Sequence, residues 1–230
     1  MTLEEISNEF DVLLQPYMRQ MPYGKVDPIA FDEYEKSVIL TAAQEEVIKE
    51  IYSGTNSTNS FEKTEEVRRY LSNLVVSYEP QRNDTYNNRV SDKSSFYNIP
   101  EDVWFIVYES VDLKDDNLPC KENKQLTVYP VTHDEFHRIK NNPFRGSNKN
   151  RVLRLDLSDN IIELVSDYNI EKYKIRYLKR PYPIILTEGI SINNKTSKQE
   201  SDLSPALLRM ILERAIRIAV QSKAMLAGNN

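Results

Sequence analysis

The chain has 230 residues, of which 40% are hydrophobic and 28% are charged, and its formal net charge is −5. This length suits one large domain or two intimate ones, because domains usually span about 100 to 200 residues. The composition is typical of a globular chain with a real core, and the acidic balance excludes a generally basic nucleic-acid-binding protein.

The cysteine content and the N-terminus predict an aqueous, reducing setting. Cys120 is the only cysteine, so the chain cannot form an intrachain disulfide. The first ten residues carry acids where a signal peptide carries basic residues, and no apolar run reaches about 18 residues, the length of a membrane span. We therefore expect a protein that is made and used in water.

Charge is distributed unevenly along the chain. Residues 1–66 contain fourteen acidic and five basic residues, whereas residues 205–230 contain four basic residues and one acidic residue. The two ends are electrostatically complementary, which favours contact and fixes register between the surfaces that carry them. Two interpretations are open: the ends bind each other within one chain, or they join one copy to the next.

A short helix is predicted at the N-terminus. Thr2 and Glu5 have the spacing of a capping box, and apolar residues recur at helical spacing after them. Pro16 and a turn at residues 22–24 are predicted to end this helix.

Two further helices are predicted before residue 54. Asp27 followed by Pro28 is an N-cap with proline in the first turn, and it opens a segment that runs toward Lys36. A separate start is predicted at residues 41–44, and one apolar stripe continues from there to Gly54.

The next stretch leads from helices into strands. Residues 55–60 are rich in Ser, Thr and Asn and predict a loop, after which residues 61–78 show helical periodicity. Residues 79–93 are polar and aperiodic, which indicates an irregular passage into a sheet.

The middle of the chain is predicted to be β-rich, because apolar and polar residues alternate there. A brief helix capped by Thr132 interrupts the strands and ends before Pro143. Residues 114–117 predict an acidic loop and residues 158–160 a tight turn, and the last three strands are predicted to form an antiparallel meander. The predicted strands are 103–111, 125–131, 151–157, 161–166 and 170–178.

The chain ends in a long predicted helix. Residues 190–192 add a short extended piece, a polar segment follows, and Ser204 with Pro205 caps a helix that continues to Leu226. Its apolar stripe is wide enough to pack on the N-terminal helices.

Together these elements predict an α+β fold. A helical bundle, built from the N-terminal helices and the long C-terminal helix, accompanies a central antiparallel β-domain. The predicted divisions are residues 1–79 for the N-terminal helical part, 80–192 for the β-rich domain with one short helix, and 193–230 for the linker and the C-terminal helix.

The two histidines, His133 and His137, are candidate ligands for zinc. They lie four residues apart on the predicted short helix, a spacing that places two imidazoles on one face. However, Asp134 occupies the position where the HExxH pattern has its glutamate, and no third ligand is evident. We interpret both as solvated helix residues and predict no metal site.

No other catalytic pattern is present in the sequence. The five glycines are scattered and cannot form a phosphate-binding loop. The acid pairs Asp115 with Asp116 and Glu45 with Glu46 are not expected to converge on one substrate, and Cys120 has no evident histidine partner. The sequence therefore predicts no catalytic residue, no cofactor and no enzyme activity.

Basic residues cluster at one end of the last predicted strand, at Arg176, Lys179 and Arg180. Interleaved tyrosines would let nucleic acid stack there, but the acidic chain as a whole favours a rim that faces protein. The fourteen tyrosines admit two interpretations, a protein interface or the ordinary aromatic content of a sheet surface.

Motifs spread over most of the chain carry a family resemblance. They are AQEEVIKEIY and EVRRYLSNL in the helical front, THDEFHRIKNNPFRG and RVLRLDL in the middle, YKIRYLKRPYPIIL after them, and LLRMILERAIRIAVQSKA at the end. Their order resembles the head-to-tail adaptor, or ring, proteins of short-tailed bacteriophages, especially those of the crAss-like phages. The resemblance implies a non-enzymatic virion protein at the head–tail junction that forms a ring of twelve copies directly beneath the portal.

The resemblance also implies partners. They are further copies of the chain, the portal protein, other tail or ring proteins, and double-stranded DNA that passes through the channel without specific binding as the genome is retained and ejected. An acidic ring fits this role, because each phosphate that a protein neutralises adds affinity and would hold the DNA back. No membrane and no cofactor are implied, and synthesis would take place in the host bacterial cytoplasm.

Our hypothesis for assembly is that the basic face of the C-terminal helix binds a neighbouring subunit or the portal, since a ring interface needs two different complementary patches on each copy. The predicted interface residues are Arg209, Arg214, Arg217, Lys223, Arg176, Lys179, Arg180, Phe144 and Arg145.

Two other classes of function stay open. A monomeric phage-encoded binding module, acting on a host or virion protein, would explain an acidic, tyrosine-rich chain without any ring. A hydrolase that uses His133 or His137 would contain metal or lose activity when either histidine is replaced.

Overall fold

A computed structural model describes residues 1–19, 31–54, 69–113, 124–148, 150–158 and 160–228. The chain divides into two compact units, a helical unit of Met1–Leu74 with Pro181–Asn230 and a sheet unit of Val75–Arg180. The described helices are α1 (Leu3–Arg19), α2 (Glu33–Ser53), α3 (His133–Ile139) and α4 (Pro205–Gly228). The strands are β1 (Val75–Tyr78), β2 (Gln81–Arg82), β3 (Ser94–Asn98), β4 (Val103–Leu113), β5 (Lys124–Pro130), β6 (Arg151–Asp156), β7 (Ile161–Val165) and β8 (Ile170–Lys179).

The predicted capping box opens α1. The Thr2 amide donates to Glu5 Oε2 at 2.8 Å, and the Glu5 amide donates to Thr2 Oγ1 at 3.2 Å. The prediction that Pro16 ends this helix is wrong, because α1 continues to Arg19. A proline so close to the end of a helix removes a single backbone hydrogen bond, which the exposed Val12 carbonyl can make with water instead.

Helix α2 is continuous where two separate segments were predicted. Asp32 is its N-cap and forms a capping box with Glu35, and Gly54 ends it in the left-handed conformation, as predicted. The predicted cap at residues 27–28 lies outside the described residues. The predicted start at residues 41–44 is wrong: Thr41 and Gln44 use their side chains against another segment of the chain and not as helix caps.

That segment is the proline-rich stretch after β8. Ser37, Thr41 and Gln44 form a polar stripe on α2 that hydrogen-bonds the extended backbone of residues 182–186. The Leu186 amide donates to Ser37 Oγ at 3.0 Å, and the Ile184 amide donates to Thr41 Oγ1 at 3.1 Å. The stripe satisfies backbone groups that Ile184 and its neighbours carry into the core.

Helix α4 completes the helical unit by packing against α1 and α2. Its amphipathic pattern was predicted, and Ser204 caps its first turn with a carbonyl that accepts from the Leu208 amide at 3.0 Å. The buried residues of α4 lie on one stripe: Leu207, Leu208, Ile211, Leu212, Ala215, Ile216 and Ala219. Before this helix, Ile192 makes an isolated bridge with Lys195 instead of the predicted extended piece.

Strand β1 replaces the end of the helix predicted for residues 61–78. Residues 61–68 lie outside the described residues, residues 69–70 are helical, and Val75–Tyr78 pairs antiparallel with β8. Two adjacent β-branched valines favour a strand, and pairing with β8 satisfies the backbone in a way that local helical periodicity does not reveal. Strands β2 and β3 were likewise missed.

The sheet order is β1-β8-β4-β5-β6-β7-β3-β2. In the predicted antiparallel meander of the last three strands, the pairing of β6 with β7 is confirmed. The place of β8 was wrong, since β8 lies between β1 and β4 and does not pair with β7. The domain is also not wholly antiparallel, because β5 and β6 pair in parallel. The cause is α3, which supplies the crossover that a parallel connection requires.

The sheet unit contains both parallel and antiparallel strand pairs, and α3 covers one of its hydrophobic clusters. Phe136 and Ile139 of α3 are buried against residues of β6 and β7. A larger cluster on the sheet includes Val111, Ile162, Leu164, Tyr173 and Ile175. The chain as a whole is thus α+β, with an eight-stranded sheet in its described part.

Candidate interface surfaces

The predicted basic face of the C-terminal helix is partly occupied by the chain itself. Arg214 Nη2 donates to Glu50 Oε2 at 2.6 Å, and Arg214 Nη1 donates to Glu46 Oε2 at 3.3 Å. The hydrogen bond to Glu50 raises the pKa of the Arg214 guanidinium. The Lys223 ammonium lies 4.7 Å from the centroid of the Phe31 ring, which is cation–π distance. These two cations therefore act inside the helical unit.

Arg209 and Arg217 differ from them. Both are exposed, and neither has an ion pair or hydrogen bond from its side chain among the described residues. They lie two turns apart with Glu213 midway, so the three form one outward strip on α4. Of the four predicted cations on this helix, these two are available to another molecule.

Helix α1 presents a second surface, which is acidic and apolar. Of its side chains from residue 3 to residue 17, it buries the narrow stripe of Ile6, Phe10 and Leu14. Val12 is 62% exposed, Leu13 and Tyr17 are also exposed, and Glu9 lies one turn from Leu13. Large apolar side chains beside unneutralised acids are common where a protein binds another protein.

The basic end of β8 is paired with aromatic rings. The guanidinium of Arg176 lies 5.8 Å from the Tyr108 ring centroid, and that of Arg180 lies 5.9 Å from the Trp104 ring centroid. Lys179 is half-buried. Arg176 and Arg180 thus lie within cation–π distance of rings of their own unit.

The loop that connects α3 to β6 displays Phe144 to solvent. Phe144 is 84% exposed, the largest exposure among the large hydrophobic side chains described. Asn142 Oδ1 accepts from the Phe144 amide at 2.9 Å and from the Arg145 amide at 3.2 Å. This Asx-type turn fixes the backbone on either side of the exposed ring.

Gly146 and Arg151 also restrain the backbone of this loop. The Gly146 amide donates to the Asn142 carbonyl at 2.7 Å, and a Cβ at Gly146 would stand only 2.8 Å from that oxygen. Arg151 Nη1 donates to the carbonyls of Phe144 and Arg145 at 3.0 and 3.3 Å, while its guanidinium lies 4.6 Å from the Tyr129 ring centroid. The loop is thus rigid at the position where it exposes an aromatic side chain.

A buried charged network lies in the sheet unit, and sequence analysis missed it. Glu109 binds Arg154 in a close ion pair and accepts from the Tyr173 hydroxyl at 2.8 Å. Burial raises the pKa of Glu109, and Arg154 and Tyr173 offset part of that rise. Burial, with Glu109 beside it, raises the pKa of Tyr173 as well. The signal was an acid on the apolar face of the alternating strand β4.

The candidate catalytic residues do not converge. His133 and His137 are both exposed on α3, and His133 Nε2 is 3.2 Å from the Asp156 carbonyl oxygen. Among the described residues no three His, Cys, Asp or Glu side chains are grouped as metal ligands. Glu45 and Glu46 bind different partners, Asn193 and Arg214. Cys120 and the acid pair at residues 115–116 lie outside the described residues, and no described helix is long and apolar enough to cross a bilayer.

Comparison with known proteins assigns the family. The model of the family described as phage tail ring protein 3/4 matches residues 1–230. The chain belongs to this family. It is 47% identical to "Ring protein 3" of Bacteroides phage crAss001 over 100% of the chain and 99% of that protein. It is 29% identical to "Ring protein 4/5" of the same phage, over 95% of the chain and 92% of that protein.

The family assignment fixes the class of protein but not its contacts. The predicted resemblance to ring proteins of crAss-like phages is confirmed, and membership makes this ring protein a structural component of the virion. The binding surfaces and their partners are inferred from the geometry described above.

Proposed function

We propose that this ring protein forms a homo-oligomeric ring between the portal and the tail, and that the ring is a head-to-tail connector through which the genome is retained and ejected. The observation that carries the proposal is the presence, on one helical unit, of two unlike surfaces that have no partner among the described residues. One is the strip of Arg209 and Arg217, and the other is the acidic, apolar outer face of α1.

Two unlike surfaces are what a ring requires. A closed ring of identical copies uses a heterologous interface, in which one patch of each copy meets a different patch of the next. The exposed arginines of α4 complement Glu9 of α1, and Val12, Leu13 and Tyr17 supply apolar area to bury. The charges give register, and the apolar residues give most of the affinity.

The acidic balance supports a conduit. A net charge of −5 on each copy accumulates around a ring, so the channel does not gain affinity by releasing counterions from DNA. Double-stranded DNA is therefore proposed as a passing partner without specific binding. The portal and neighbouring tail or ring proteins are the proposed axial partners. A copy number of twelve and synthesis in the host bacterial cytoplasm complete the proposal.

Mass measurement of the purified protein, alone and with portal protein, tests the proposal. The expected result is a discrete ring in at least one of the two conditions, and electron microscopy of that species gives its copy number. A protein that stays monomeric alone, with portal protein and with the other tail proteins would overturn the proposal and favour a monomeric binding module.

Charge reversal tests the proposed surfaces. The double variant Arg209→Glu, Arg217→Glu is expected to weaken ring formation strongly, because it places acids against the acidic face of α1. The matched control, Arg82→Glu with Lys172→Glu, makes the same change of charge on the sheet unit and is expected to assemble normally. Equal assembly of both double variants would exclude α4 as a ring surface.

A further inference from the structure

We propose that the loop bearing Phe144 and Arg145 inserts into a cleft on the helical unit of a second copy of this chain. This inference rests on the proposed self-assembly and adds a second, sharply defined contact to it. It joins a rigidly displayed aromatic side chain to an acidic cleft with an apolar floor.

The loop is built to present its aromatic residue. A phenylalanine that is 84% exposed gains nothing from its own chain, and exposure of the ring to water is unfavourable. The turn centred on Asn142, the close approach at Gly146 and the two hydrogen bonds from Arg151 hold the backbone in place. A fixed backbone lowers the entropy lost on binding, so a loop of this kind is preorganised for insertion.

The cleft lies on the helical unit and has a volume of about 760 Å³. Leu3 and the buried Leu186 supply apolar surface inside it. Glu4, Glu33 and Glu200 line it with one cation, Lys198. Lys36 binds Glu33 at 3.2 Å, so the negative charge of the lining comes from Glu4 and Glu200. Pockets that bind small groups in proteins span about 300 to 1,000 Å³, which leaves ample room for one aromatic ring and a guanidinium.

The chemistry of the loop matches that of the cleft. Phe144 offers a ring for the apolar floor, and the adjacent exposed Arg145 offers a cation for the acidic wall. Glu4 and Glu200 are exposed and make no ion pair among the described residues, so both are available to that cation. Aromatic and arginine side chains that enter a pocket are the residue types that dominate binding energy at protein interfaces. A second copy is the occupant that these observations select, because loop and cleft are present in every copy.

Charge exchange tests the pairing. In the full-length protein, Arg145→Glu is expected to weaken self-association about tenfold or more, measured by sedimentation or mass photometry across a concentration series. Glu4→Arg with Glu200→Arg is expected to weaken it similarly. Combining all three changes in one chain restores opposite charges across the contact and is expected to recover most of the association. If the combined variant is no better than its parents, the pairing is wrong.

The aromatic residue is tested separately. Phe144→Ser is expected to weaken self-association about tenfold or more. Val107→Ser removes an exposed apolar side chain from the same unit and is expected to associate as the native protein does. Equal losses in the two variants would show that exposed apolar area in general drives association and would overturn the role of Phe144.

These outcomes separate the inference from the proposed function. If the native protein forms rings while the Phe144 and Arg145 variants form them equally well, the loop contact is refuted and the ring stands. If the native protein never self-associates, including with portal protein, both fail together.

Discussion

The helical unit and the sheet unit place their charged side chains in opposite settings. In the helical unit, Arg214 binds Glu50 close to the surface, where its side chain is still 27% exposed. In the sheet unit, Glu109 and Arg154 form an ion pair whose members are both nearly buried, with the Tyr173 hydroxyl as a further partner. Water can replace a lost partner in the first case but not in the second.

This difference separates residues that maintain the fold from residues that are available for assembly. Screening by solvent makes a surface ion pair worth little, so the charges of the helical unit can serve a partner at small cost to the monomer. A buried charge that loses its partner is strongly destabilising. The variants below test this contrast and the loop that bears Phe144, beginning with the one expected to change stability most.

Arg154→Met is expected to lower the free energy of unfolding by about 3–5 kcal/mol, because it leaves the Glu109 carboxylate buried without its countercharge. Chemical denaturation monitored by circular dichroism measures the change. Lys172→Met is the matched control, since the ion pair that Lys172 forms in the described part of the chain, to Glu79, is exposed and spans 4.0 Å. A loss below about 1 kcal/mol for Arg154→Met would place this pair with the surface pairs of the helical unit.

Glu109→Gln is expected to destabilise the protein by about 1–3 kcal/mol through weakened hydrogen bonds, and to do so in a pH-dependent way. Burial raises the pKa of Glu109 above its ordinary 4.5, so the native protein gains stability from this group as pH falls through the raised value toward 4.5 and loses it as pH rises. The variant lacks that gain. Denaturation at pH 4 and pH 7 should therefore show the larger deficit at pH 4. A larger deficit at pH 7 would mean that Arg154 outweighs burial and lowers the pKa.

Gly146→Ala is expected to cost about 1–3 kcal/mol, because the new methyl group would lie 2.8 Å from the Asn142 carbonyl oxygen and 3.0 Å from that of Ile139. Both oxygens belong to the backbone, so relief requires the loop itself to move. Thermal unfolding measures the loss, and the displaced Phe144 should also weaken self-association. Ser147→Ala, which adds no atom, is the control. Unchanged stability would show that the loop is not rigid.

The sequence predicted those parts of the fold that depend on neighbouring residues. Thr2 and Thr132 cap their helices with side chains that accept from a backbone amide three residues later, and Gly54 ends α2 because its backbone adopts the left-handed conformation. Each of these helix ends was predicted where it occurs. Pairing over long separations was not predictable in the same way. Strand β8 lies between β1 and β4, and the residues of β1 that pair with it are roughly a hundred residues away in the sequence. No local pattern predicts a pairing over that separation.

The candidate surfaces were likewise predictable from the sequence only in part. The basic composition of α4 is evident in the sequence, but the assignment of Arg214 to Glu50 and of Lys223 to Phe31 required the folded chain. Phe144 was named from a family resemblance, whereas its exposure and the hydrogen bonds that hold its loop are visible only in the structure. Burial of Glu109 does not follow from alternation alone, because the pattern of apolar residues indicates which face of a strand is covered and not whether an acid on that face finds a partner.

Arg214→Ala and Arg217→Ala form the last and smallest test of the comparison. They remove the same side chain one turn apart on α4, but of the two only Arg214 has ion-pair partners among the residues described, Glu46 and Glu50. Arg214→Ala is expected to cost about 0.5–1 kcal/mol of stability, an ordinary value for a partly exposed pair, and Arg217→Ala about zero. Ring formation should show the reverse order, with the larger loss for Arg217→Ala, and raised salt should reduce both effects because the charges are near the surface. If Arg217→Ala destabilises the monomer as much as Arg214→Ala does, the Arg217 charge stabilises the fold. In that case α4 does not separate residues that maintain the fold from residues that are available for assembly.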